Sequence, residues 1–133
     1  MRYYQPKKSE LTPYARKMAV AIVQGYDQIQ KELENMVYNS VSMDGQPRGT
    51  KTSDPTGAAV MRRMKKRATI EAIDNALLCI PPEYRKTVFK WVKTGATLVE
   101  CGGDDAHRNT YSNWKEVFLR EVATNMGWHE DWR

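Results

Sequence analysis

Apolar residues recur at helical spacing over most of this 133-residue chain, and hardly anywhere at the alternating spacing of strands. The stretch 104–128 is the clearest case. Tyr111, Trp114, Phe118, Leu119, Val122, Ala123 and Met126 fall three and four residues apart, which predicts a helix over 105–126 with one apolar stripe. Asp104 or Asp105 is the expected N-cap, complementing the helix dipole. Gly127 is the expected left-handed C-cap, with Trp128 folding back onto the last turn.

Upstream, Thr12-Pro13 reads as the N-cap and first residue of a long helix, because proline lacks the N–H that would be orphaned there. Ala15, Ala19, Ile22, Tyr26, Ile29, Leu33 and Met36 then alternate steps of four and three, a heptad seam. The pattern predicts one helix over 13–38, with Gly25 the only residue arguing against it. Such a seam needs a partner helix, and two are open: a second copy of the chain, or a later helix of the same chain. In the first case Ile22, Tyr26, Ile29, Leu33 and Met36 form an oligomerisation face and the protein is a homodimer.

Residues 39–56 hold Gly, Pro, Asn, Asp and Ser at loop density and mark the main boundary. The expected organisation is an N-terminal arm and heptad helix over 1–43, a basic linker over 44–54, a helical domain over 55–128, and a tail over 129–133. Asp54-Pro55 repeats the N-cap signature and opens a second helix running through Met61, Met64, Ile70, Ile73, Leu77 and Ile80. Pro81-Pro82 ends it and starts a third helix, 82–94, which buries Tyr84 or Val88 with Trp91 and Val92 and closes at Gly95. Residues 96–105 are too short for a sheet and predict a turn around Leu98 and Val99. The fold class is all-α.

Charge adds the first functional indication. The net +5 is concentrated in RRMKKR, residues 62–67, since the remaining basic residues are matched one for one by acidic ones. Such a patch attracts a polyanion, and Arg62, Arg63, Lys65, Lys66 and Arg67 are the expected phosphate contacts. The GQPRGTKT segment has two readings: Arg48 and Lys51 on phosphates, or a plain linker. On the last helix, Arg108, Asn109, Ser112 and Asn113 lie on the polar face of the first two turns. Arg and Asn are the side chains able to contact guanine and adenine edges in pairs of hydrogen bonds. Lys115 and Arg120 extend that face as phosphate contacts. Helices 82–94 and 105–126 have the outline of a helix-turn-helix, with a longer connection than the tight form.

Other classes find little support. No run of about 18 apolar residues exists to span a membrane, and the N-terminus has no secretory apolar core. Two cysteines without a CxxC suit a reducing cytoplasm. A metal site would have to be assembled from Glu100, Cys101, Asp104, Asp105, His107 and His129, none of which is paired at ligand spacing. No phosphate-binding loop, nucleophile elbow or HExxH is present. No enzyme activity, metal or cofactor is expected.

Three segments together resemble the ArpU/RinA-type regulators of Gram-positive phages and prophages. DGQPRGTKTSDPT at 44–56 is similar to that family's D-G-x-P-R-G-T-x-x-S-D-P-T signature. IEAIDNALLCIPPEYRKTVFKWV at 70–92 and HRNTYSNWKEVFLREVATNMGW at 107–128 match its later helices, the last ending in A-x-x-x-G-W. The family has Ser where this chain has His107. The resemblance implies a C-terminal helix-turn-helix similar to region 4 of bacterial sigma factors. It also implies control of late or packaging genes in the host cytoplasm and a recognition helix starting at 107–116.

The first expectation is therefore a dimeric transcription regulator reading double-stranded DNA. The second is a DNA-packaging component resembling a small terminase subunit. The third is an adaptor that grips RNA polymerase through the basic helix.

Overall fold

The computed structural model describes residues 11–42 and 55–129. All regular structure among them is helical: α1 (Pro13–Gln24), α2 (Tyr26–Ser42), α3 (Pro55–Leu77), α4 (Pro82–Thr94) and α5 (Arg108–Asn125), with 3-10 turns at Val99–Cys101 and Asp105–His107. The N-terminal arm before Leu11, the 44–54 linker with Arg48 and Lys51, and the tail after His129 lie outside the described residues.

Thr12 opens α1 as its sequence indicates, its Oγ1 accepting from the Ala15 N–H at 3.1 Å. The single helix expected over 13–38 is instead two, broken at Gly25 (φ −90, ψ 5). Hydrogen bonding nearly bridges the break, with Gly25 N–H on the Ala21 carbonyl at 3.1 Å and Ile29 N–H on the Gly25 carbonyl at 2.9 Å. The interruption sits at the residue with the weakest helix propensity in the segment. It also divides the seam. α1 buries Ala15, Ala19 and Val23, so Val23 takes the core place expected of Ile22, which is only half-buried.

α2 and α3 run antiparallel. The Tyr26 hydroxyl donates to Asp74 at 2.9 Å near the body, and Lys66 Nζ meets Glu32 at 2.9 Å further out. No residue from 57 to 69 is buried, whereas Ile70, Ala72, Ile73 and Ala76 are. α2 and the first half of α3 thus form a two-helix arm beyond the core. α3 ends at Leu77, not Ile80. Ile80 sits fully buried in the following turn, and Arg85 Nε donates to its carbonyl at 2.9 Å.

α4 buries Val88 and Val92, and Gly95 closes it in the left-handed conformation (φ 72), where any other residue would be strained. The chain then runs back along α4. Cys101 Sγ lies 4.0 Å from Thr94 Oγ1, and Gly102 and Gly103 pass Thr87 two turns earlier. Gly103 has to be glycine, since a Cβ there would stand 2.5 Å from the buried Leu98 side chain. Because of this return, α5 starts beside the start of α4: the Tyr84 ring meets Tyr111 edge-on at 5.3 Å and stacks on Trp114 at 6.1 Å.

α5 is the axis of the body. Every residue from Val117 to Ala123 is buried, because α1, α3 and α4 pack around it. It ends in a Schellman motif, with Gly127 at φ 84, Gly127 N–H on the Thr124 carbonyl at 3.0 Å and Trp128 N–H on the Ala123 carbonyl at 2.8 Å. Phe118 meets Phe89, and Phe89 meets Tyr26 edge-on at 5.1 Å, so one aromatic line ties α5 and α4 to the root of the arm. Among the described residues no helix is long and apolar enough to cross a membrane.

Burial and the Asp74 hydrogen bond push the Tyr26 hydroxyl from its ordinary 10.0 up to about 12. A raised folded-state pKa stabilises fully below the ordinary value and is lost as pH climbs through the folded one. Tyr26→Phe, with no proton to release, should lose less stability than the natural chain as pH rises over that window. Urea-unfolding midpoints across the alkaline range check this.

Candidate nucleic-acid interface

Five cations fall within six residues of α3, and helix geometry sorts them. Ala59, Arg63, Lys66, Ile70, Ile73 and Leu77 follow one another at steps of four and three, and this line faces α2 and then the core. Arg63 and Lys66 are accordingly half-buried, and Lys66 is held by Glu32, whose own carboxyl lies below the usual range because Gln28 and Lys66 both donate to it. Arg62, Lys65 and Arg67 are exposed and meet no acid among the described residues. The arm therefore presents three open cations, with Lys66 bracing its two helices and Arg63 half-buried on the side facing α2.

The sequence runs this helix through Met61 and Met64 and puts its buried stripe on Ile70, Ile73, Leu77 and Ile80. Met61 and Met64 are 55% and 59% exposed, beside Val60 at 43%. The phase of the sequence explains their exposure: Met61 and Ile70, like Met64 and Ile73, are nine residues apart, which puts each pair on opposite sides of a helix.

At the head of α5, Asn109 and Asn113 are exposed, Ser112 is half-buried, and Arg108 is ion-paired to Asp105 at 2.7 Å. Asp104 caps the preceding 3-10 turn. Its Oδ1 accepts from the His107 N–H at 2.9 Å and lies 3.0 Å from His107 Nδ1, contacts that hold the Asp104 carboxyl below its ordinary value. His107, the residue before α5, makes no side-chain capping bond, so the α-helix proper begins at Arg108 and not at 105. Lys115 lies 4.5 Å above the Trp91 ring, joining α5 to α4 by a cation–π contact.

Arg120 is not at the surface. It is 2% exposed and bonded to the equally buried Glu121 at 2.7 Å, so it belongs to the core and not to a phosphate-binding face. The sequence placed it on the polar face because that face is solvated only in the first three turns of α5. Further along, α1 closes over it, with Arg16 holding Glu116 through two hydrogen bonds.

The two candidate surfaces stand at opposite ends of the body. The end of α5 packs beside the middle of α3, where Asn125 Nδ2 donates to the Ala72 carbonyl at 3.0 Å and Met126 faces Lys65, Ala68 and Thr69 across a shallow groove. From there to Asn109 is the length of α5, roughly 25 Å at 1.5 Å per residue.

Of the expected oligomerisation face, Tyr26 is used within the chain and the other four residues are half-buried. Tyr26 is committed to Phe89 and Asp74, and Leu33 and Met36 are half-buried on the same side of α2. Ile22 and Ile29 remain partly open. With Met18, Ala21, Gly25 and Trp128 they line an apolar groove of about 330 Å³ at the bend between α1 and α2. Among the described residues no group of His, Cys, Asp or Glu stands close enough together to hold a metal ion. Arg48 and Lys51 fall outside the described residues.

Comparison with protein-family models, with curated proteins and with solved structures finds no match to this chain.

Breaking a buried ion pair from one side leaves the other charge uncompensated, at a cost of about 3–5 kcal/mol. Arg120→Ala should lower chemical-denaturation stability by that order. Any DNA affinity the protein has should fall only in proportion to the unfolded fraction. A folded Arg120→Ala protein of undiminished stability would return Arg120 to the surface reading.

Proposed function

We propose that this protein is a double-stranded DNA-binding transcription regulator of the phage type, holding the phosphate backbone with the arm and reading base edges with the head of α5. The observation that carries the reading is the exposed trio Arg62, Lys65 and Arg67, which meets no acid among the described residues and lies on the half of α3 that extends beyond the core. Cations held away from carboxylates are the electrostatic footprint of a polyanion partner, and a projecting helix brings them to a duplex without collision from the core.

Asn109 and Asn113, exposed and without a side-chain partner among the described residues, are the base-reading side chains of choice, with Ser112 beside them. Arg108 joins them once it exchanges Asp105 for a base. The sigma region 4-like arrangement belongs to the same proposal, with α4 as the supporting helix and α5 as the recognition helix. So do control of late or packaging genes, a place in the bacterial host cytoplasm, RNA polymerase as a second partner, and a homodimer formed through the open pair Ile22 and Ile29.

The test is a fluorescence-anisotropy titration on the neighbouring intergenic duplex and on a scrambled one, over a range of salt. Arg62→Ala/Lys65→Ala/Arg67→Ala should weaken both duplexes alike. It should make the slope of log affinity against log salt shallower by about 2–3, since each phosphate contact contributes about 0.9. An unchanged slope would remove the arm from the interface. Asn109→Ala should leave affinity for the scrambled duplex as it is and narrow the preference for the intergenic one by roughly tenfold, the worth of a paired base contact. Equal binding of both duplexes by the natural chain would remove base reading.

A further inference from the structure

The cations of α3 leave its most exposed apolar side chains unexplained. Taken round the helix at 100° per residue, Val60, Met61 and Met64 fall with Gly57 and Ala68 in one arc of about 100°. That arc points away from Ala59, Arg63 and Lys66, the residues turned toward α2. The ridge is open, with Val60 at 43%, Met61 at 55% and Met64 at 59% exposure. Lys65 lies on one flank of Met64 and Arg67 on the other, both exposed. The face of the arm turned away from α2 is thus a narrow apolar ridge with a positive charge on each side, running down to the groove that Lys65 and Ala68 share with Met126.

A complementary surface needs a narrow apolar floor between two negative rims. A second copy of this face does not qualify, because it would set Lys65 and Arg67 against their own counterparts. The minor groove of duplex DNA does: sugar and base edges lie between two rows of phosphates. At about 6 Å wide it is too narrow for a helix of about 10–12 Å, so a helix can enter only where the duplex opens and bends away. Proteins that bind in this way push apolar side chains, methionine among them, between base steps and kink the duplex by roughly 20–90°. Methionine, unbranched and adaptable, suits an irregular gap between unstacked bases.

We propose that the ridge Val60–Met61–Met64 is a minor-groove wedge. Met61 and Met64 enter a base step, Lys65 and Arg67 hold the phosphates of the two strands, and the bound duplex is bent. The inference rests on the DNA-binding reading above and deepens it by making the partner a bent duplex. Flexible pyrimidine–purine steps such as TA, the cheapest to unstack, are the preferred wedge positions.

The experiment uses the full chain and a duplex of about 30 base pairs, well below the persistence length, with a donor and an acceptor dye at its ends and a central TA step. Anisotropy reports binding and energy transfer reports bending on the same sample. The natural protein should bind and raise the transfer efficiency, and a minor-groove ligand of the netropsin type should compete. Met61→Ala/Met64→Ala, which removes only exposed side chains and should keep its thermal unfolding midpoint, should bind within a few-fold and lose most of the rise. Lys65→Ala/Arg67→Ala should lose affinity itself. Binding without a change in transfer, or a methionine variant that bends DNA as well as the natural chain, would overturn the wedge and leave the DNA-binding reading standing. Failure to bind any duplex would overturn both. Capture of an acidic amphipathic peptide through Met61 and Met64, without duplex binding, would reassign the ridge to a protein partner.

Discussion

The structure depends on one constraint: the middle of α5 has no solvent side. Seven consecutive residues, Val117 to Ala123, are buried, so a full turn of neighbours has to be supplied, and α1, α3 and α4 supply it. Two of the seven are charged. Arg120 and Glu121 survive there because they bond to each other at 2.7 Å. Desolvating such a pair costs several kcal/mol and its attraction offsets that only with good geometry, so it is poor evidence of net stabilisation. It does restrict α5 to arrangements that keep the two charges together.

The shape of the rest follows. Packing against α5 fixes the C-terminal half of α3, and Asn125 pins the contact through the Ala72 carbonyl. α3 then has nowhere to go but outward. From Ile70 back to Pro55 it extends roughly 22 Å past the core. α2 accompanies it, held at the root by Tyr26 on Asp74 and Phe89 and further out by Glu32 on Lys66. The outer contact is a partly exposed ion pair. The arm is therefore joined to the body at its root by an aromatic contact and a hydrogen bond, and its two helices are joined to each other further out by Lys66 on Glu32.

Much of this was legible in the chain. Thr12-Pro13, Pro81-Pro82, Gly95 and the Gly127-Trp128 cap act through backbone chemistry local to a few residues, and each does what its residues dictate. The apolar stripes on α4 and α5 were readable because the residues at that spacing do face neighbouring helices, although the middle of α5 is covered on its other sides as well. What could not be read depended on which neighbour covers which side. Arg120 looked like a surface cation because nothing in its local sequence reveals that α1 lies over that face. Ile22 and Val23 differ by one position, and a bend at Gly25 of unknown angle decides between them. The oligomerisation face looked equally good for a second copy or a later helix; Tyr26 on Asp74, 48 residues away, gives that one position to the latter. The exposure of Met61 and Met64 was readable in principle, since their phase does not match that of Ile70 and Ile73.

The two candidate surfaces also differ in readiness, and this orders events under the proposed function. The arm offers open cations, while the head of α5 is occupied by its own acids: Asp105 holds Arg108, and Asp104 holds His107. Two carboxylates at that end repel a phosphate backbone at distances where the arm already attracts it, about a Debye length of 8–10 Å. A duplex would be gathered first by the arm, without regard to sequence. Base reading follows only when a base edge outcompetes Asp105 for Arg108. An exposed pair of that kind is worth at most about 1 kcal/mol and a paired base contact about 1–3, so the exchange is favourable at a matching site and nearly neutral elsewhere. The acids at the head of α5 then act as a filter, lowering affinity for every sequence and costing the correct one least.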